Sequence, residues 1–138
     1  MDECESGTAT RVITIAAGGV TMEATLDGSA TADAVWKVLP ISSRVSLWGD
    51  EIYFAVPVDA EEAPDARATV EVGDIGYWPP GNAFCIFWGP TPMSRGNEIR
   101  PASPVNVFGR VVGDARAFGR VPSGSGVEVT RNRRSERA

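Results

Sequence analysis

Side chains able to do chemistry are few in this chain. There is no histidine among its 138 residues. Ser-His-Asp and Cys-His nucleophilic sites are therefore excluded. Two cysteines, Cys4 and Cys85, lie far apart. With carboxylates alone to help them they make a poor zinc set, and no metal is expected. Cys85 sits among apolar residues with no imidazole to activate it, so it reads as a small buried hydrophobe. A Cys4–Cys85 disulfide is not expected in a reducing compartment. Asp50 and Glu51 are adjacent carboxylates, but neighbours on a strand point to opposite faces. A shared-proton dyad is not expected of them; turn chemistry and solubility are. No nucleotide, metal or flavin motif is present, and no cofactor is expected.

What remains is apolar recognition. Residues 72–93 hold two tryptophans, three other aromatics and four prolines. Tyr77, Trp78, Phe84 and Trp88 can form a wall that binds a peptide or small molecule, or can pack a core. Alternation lets only some of them share a face. Trp78-Pro79-Pro80, at a turn, is the best exposed candidate. Met93 and Ile99, in a long proline-rich loop, can lip a pocket or pack against the end of the fold. Asn106 can contact a ligand or satisfy loop backbone.

The elements that would position these residues read mostly as strands. Arg11–Ala16 and Val20–Leu26 alternate around a Gly18-Gly19 hairpin turn. Ser29 or Thr31 caps a helix that runs to about Leu39 and stops at Pro40, with Ala34, Val35, Val38 and Leu39 as its stripe. Val45–Trp48 and Glu51–Val58 are rich in strand formers and meet at Gly49-Asp50. Ala68–Val72 reads as a short strand. Ile75–Trp78 and Ala83–Trp88 flank a turn in which Pro80-Gly81 suits the centre of type II. Gly89–Pro104 is an irregular loop, Val105–Val111 a strand, Asp114–Phe118 a helical turn and Val127–Thr130 the closing strand. Many short strands and one helix point to an all-β barrel or sandwich.

Three blocks resemble the small prokaryotic cyclophilin-like family. They are Trp48-Gly49-Asp50-Glu51-Ile52-Tyr53-Phe54, Gly73-Asp74-Ile75-Gly76-Tyr77-Trp78-Pro79-Pro80-Gly81, and residues 101–111 with Val107-Phe108-Gly109-Arg110-Val111 at their core. The likeness spans about residues 11–130. It implies a mainly-β fold, a closed eight-stranded barrel with one main helix and a short second helical turn. True cyclophilins are peptidyl-prolyl isomerases that set an arginine beside an apolar proline pocket. The resemblance places Ser43 where that arginine stands, with Arg44 one residue further on. A one-residue shift on a strand reverses the face. The pocket histidine is missing and Ala83 replaces a glutamine. Three functions follow. The first is a barrel that binds a peptide or small molecule, through Trp48, Tyr77, Trp78, Phe84, Met93 and Asn106, without efficient prolyl isomerisation. The second is an isomerase using Arg44, with Trp48, Trp78, Phe84 and Met93 as its pocket. The third is a subunit that dimerises through the aromatic wall.

Composition narrows the partners. The formal charge of −5 argues against binding nucleic-acid phosphate. No apolar run approaches the ~20 residues of a membrane helix. Met1–Thr10 is acidic and lacks a signal-peptide pattern, so a cytoplasmic location is expected. Residues 1–10 and the basic 131–138 read as disordered tails around one domain, 11–130.

Overall fold

Alternating apolar residues build the first hairpin. Strands β1 (Arg11–Ala17) and β2 (Val20–Leu26) pair from Ala17↔Val20 to Arg11↔Leu26 across the Gly18-Gly19 turn. Their inward side chains, among them Ile13, Ile15, Ala24 and Leu26, are buried. Helix α1 (Ala30–Lys37) follows; the Ser29 hydroxyl accepts from the Ala32 amide at 3.2 Å and caps it. The computed structural model of the chain describes residues 11–132.

Next come β3 (Ile41–Arg44), β4 (Ser46–Leu47), β5 (Glu51–Ala55), β6 (Asp74–Trp78), β7 (Ala83–Phe87), β8 (Asn106–Val112) and β9 (Gly126–Arg131). They form one antiparallel sheet in the order β3-β9-β1-β2-β8-β6-β7-β5-β4. Only Val45 separates β3 from β4, and its amide and carbonyl bond Ser125 and Gly124 at 2.9 and 2.8 Å. The two ends of the sheet are thus one bent stretch of chain, and the barrel is nearly closed. Counting that stretch once turns nine strands into the eight expected.

Two local expectations change, and one segment left unassigned becomes a strand. Ile41–Arg44 is a strand although only Ile41 is apolar and buried, because β9 pairs with it along its length. Ala68–Val72 is not a strand: this segment crosses the outside of the barrel with isolated bridges at Arg67↔Val105 and Val70↔Ile99. The proline turn is a 3₁₀ turn, Pro79–Gly81, not type II, and Asn82 rather than Gly81 takes the left-handed conformation, at φ 49°.

The interior is filled. Phe84 stacks on Phe54 at 4.8 Å between centroids and meets Phe108 edge-on at 5.4 Å. Tyr77 lies inside with them, and its hydroxyl donates to the Val58 carbonyl at 2.6 Å. Helix α1 covers one opening; its Thr31 hydroxyl accepts from Asn106 at the start of β8. A 3₁₀ segment, Ala115–Arg120, follows β8 at the other opening and buries Phe118. β9 ends at Arg131, one residue into the segment counted with the tail. The Arg131 guanidinium lies over Trp36 at 4.7 Å. The rest of that tail, residues 133–138, and the acidic residues 1–10 lie outside the described residues.

Candidate ligand cavity on the outer wall

Strands β5, β6 and β7 carry apolar residues on both faces, with Glu51 and Asp74 as the charged exceptions on the outer one. Ile52, Phe54, Ile75, Tyr77, Phe84 and Ile86 point into the barrel. Ala83, Cys85 and Phe87 point outward and still are buried, in a second cluster with Val70, Ile99 and Val105. What buries them is the long loop 89–104, folded back over the wall, together with the 67–72 crossing and Val105. That loop is held by its own polar groups. The Ser94 hydroxyl accepts from the Thr91 and Arg100 amides at 2.9 and 3.1 Å, and the Thr91 hydroxyl donates to the Arg100 carbonyl.

Between wall and loop lies a cavity of about 280 Å³, walled largely by apolar atoms. Trp48, Tyr53 and Trp78 form its aromatic sides, and Pro101, Ala102 and Val105 come from the loop and its junction with β8. Glu51 and Cys85 complete it.

Each of these residues is fixed by local structure. Trp48 and Glu51 flank a tight turn closed by the Trp48 amide on the Glu51 carbonyl, 2.9 Å. Gly49 takes φ 61° there, and a methyl in its place would come within 2.9 Å of the Thr91 Cα. The turn is laced to the loop by the Asp50 amide on the Pro90 carbonyl and the Trp88 amide on the Asp50 carbonyl, both 3.0 Å. Trp78 is held on two sides. Its indole N–H donates to the Ser103 hydroxyl at 2.7 Å. Its ring lies so close to Gly81 that a methyl there would sit 2.6 Å away.

Glu51 is the unusual member. The residue is 5% exposed, and its Oε1 has no hydrogen-bond partner. Burial raises its pKa from the ordinary carboxyl range to about 7, against a hydrogen bond with the Cys85 thiol that lowers it. Register explains that pairing: Tyr53 sits opposite Cys85 on the β5–β7 ladder, so Glu51 is its diagonal neighbour on the same face. Burial first, then the Glu51 charge, pushes the Cys85 thiol well up, and it stays a thiol. Cys85 is free; Cys4 lies outside the described residues. A carboxyl titrating near 7 can exchange a proton with a ligand or meet a cation.

Of the residues expected to form a site, the cavity brings together Trp48 and Trp78. Tyr77 and Phe84 face the opposite side of the wall, in the barrel core. Met93 is exposed on the loop, and Ile99 packs in the outer cluster. Asn106 is buried and serves backbone: it accepts from the Ala63 amide at 2.7 Å and donates to the Glu61 carbonyl at 2.9 Å. Arg44 is exposed and donates to the Gly124 carbonyl at 3.0 Å; it does not line the cavity, and no ion pair to Asp50 or Glu51 forms. Glu51, Tyr53 and Cys85 were missed as site residues. Alternation carried the signal: if Ile52, Phe54, Phe84 and Ile86 face inward, these three share the outer face. Among the described residues no cluster of side chains is suited to a metal ion, and no helix is long and apolar enough to cross a membrane.

Comparison with known proteins agrees with the barrel fold. No curated protein matches the chain. The solution structure of a hypothetical protein from Archaeoglobus fulgidus is similar, at 38% identity and a TM-score of 0.79 over 96% of this chain and 100% of that one. The cyclophilin-like family model matches residues 11–130. By barrel, by matched span and by the three sequence blocks, the chain belongs to the cyclophilin-like family.

Proposed function

We propose that this protein binds a peptide or small molecule in the outer-wall cavity and does not catalyse efficient prolyl isomerisation. One observation carries the reading: an apolar cavity of about 280 Å³ that is lined by a single buried carboxyl, Glu51, one of whose oxygens has no hydrogen-bond partner. Burying a carboxyl without full pairing costs about 1–3 kcal/mol, a cost that a donor bound on its cavity side would offset.

Catalysis of amide rotation must lower a barrier of ~18–20 kcal/mol, and an arginine aimed at the proline amide is the device of true cyclophilins. The nearest equivalent, Arg44, is turned to the Gly124 carbonyl, and the cavity presents an acid instead. The two chemistries separate in a protease-coupled assay on proline tetrapeptides. The spontaneous rate is expected at micromolar protein. Acceleration that disappears in Arg44→Ala would overturn the reading. Binding itself is tested by Ala102→Trp, which places an indole in the cavity. A fragment set that shifts the Trp48 and Trp78 indole signals of the native protein is expected to lose its effect in that variant. Fragments that act equally on both proteins bind elsewhere.

A further inference from the structure

We infer that the cavity recognises a protonated alkyl amine, with the ammonium paired to the Glu51 carboxylate and the alkyl chain held between Trp48, Tyr53 and Trp78. This rests on the proposed binding role of the cavity and names the ligand chemistry. Two independent features point to it. The first is Glu51 itself, a carboxyl that lines the cavity, is 95% shielded from solvent and has one oxygen without a hydrogen-bond partner, so that it accepts an N–H or O–H donor. The second is the set of aromatic walls. Aromatic faces attract cations, and do so more strongly where water is excluded.

The charged groups around Glu51 leave that role open. On its own strand Tyr53 is the only other titratable side chain in the cavity. Across the ladder Cys85 stays neutral. In the turn, the Asp50 carboxylate is directed at Gly89, where an added methyl would meet it at 2.5 Å. The loop's Arg100 is paired with Glu98, Nε to Oε2 at 2.6 Å. Trp78 and Val105, from β6 and the junction with β8, carry no charge. Among the described residues, no lysine or arginine lines the cavity. A cationic ligand supplies the missing counter-charge; a neutral one leaves Glu51 protonated.

That difference gives the test a sign. An ammonium ion needs Glu51 ionised, so binding must release a proton wherever Glu51 is still protonated in the free protein. Affinity then rises with pH up to about 7 and levels off above it. A neutral acceptor ligand needs the acid form and shows the reverse.

The probes are n-butylammonium chloride and its neutral counterpart n-butanol, titrated by calorimetry and by the indole signals of Trp48 and Trp78. At pH 8.5 n-butylammonium is expected to bind at least about tenfold more tightly than n-butanol. Its affinity should fall about thirtyfold on going to pH 5.5, as Glu51 takes up its proton. Glu51→Gln should remove both the preference and the pH dependence, while Glu51→Asp, which keeps the charge, should preserve the sign of both. Equal binding of the two probes, or affinity that climbs as pH falls, overturns the amine assignment and leaves the binding role intact. Failure of both probes to move either indole overturns the assignment and, if the fragment set also fails, the binding role with it.

Discussion

Glu51 makes the native protein's stability depend on pH in an unusual direction. In the unfolded chain its carboxyl titrates near the ordinary value of 4.5; in the folded protein burial raises that to about 7. Between those limits the native state holds more protons than the unfolded state, so this residue's contribution falls as pH rises through the window. Above about 7 the loss is complete. A gap of this size corresponds to at most about 3 kcal/mol. Glu51→Gln is therefore expected to melt near the native protein at pH 5 and several degrees above it at pH 8, by calorimetry or circular dichroism. A constant difference at both pH values would contradict the buried acid. The sequence hid this residue for a physical reason. Next to Asp50, at a Gly-Asp turn, a glutamate looks solvated; only the return of residues 89–104 over the strand buries it. That return is a long-range event which no local pattern encodes.

Among the elements, the turn between β4 and β5 controls the cavity most directly. It sets Trp48 and Glu51 and is tied to the loop through Asp50. Gly49 is its tightest point, with φ 61° and the Thr91 and Pro90 backbone within about 3 Å of any added methyl. Gly49→Ala should cost about 1–3 kcal/mol from the backbone conformation alone. The same change should push the loop away and weaken any ligand held by the cavity. A lowered melting point with unchanged Trp48 and Trp78 signals would separate turn from cavity and count against this coupling. Element by element, the alternating hairpin β1–β2, the capped helix and β8 were legible, because each announces itself within about ten residues. β3 was not, since Ser42, Ser43 and Arg44 have little strand preference and are extended because β9 requires it. The aromatic stretch 77–88 was legible as two strands. Its division between the two faces of the wall followed from alternation, once the inward face was known.

For the whole molecule, the barrel owes its solidity to a filled centre. Phe108 is fully buried and packs edge-on against Phe84. Phe108→Ala should cost about 3–5 kcal/mol, read as a shift in the denaturant midpoint. An unchanged midpoint would mean that the ring is not part of the centre. The family blocks made the barrel recognisable from the sequence. The cavity was not recognisable in the same way, because the family's arginine position, here Ser43 beside Arg44, lies away from it.

One pleated sheet thus separates two compartments with different tasks. On β5, Ile52 and Phe54 serve the centre, while Glu51 and Tyr53 serve the cavity. The same backbone carries both sets, so the cavity lining can change by exchanging every second residue while the barrel keeps its shape. An insertion or deletion of one residue in β5 would do the opposite: it would drive an acid into the oily interior and expose a phenyl ring outside, losing scaffold and cavity together.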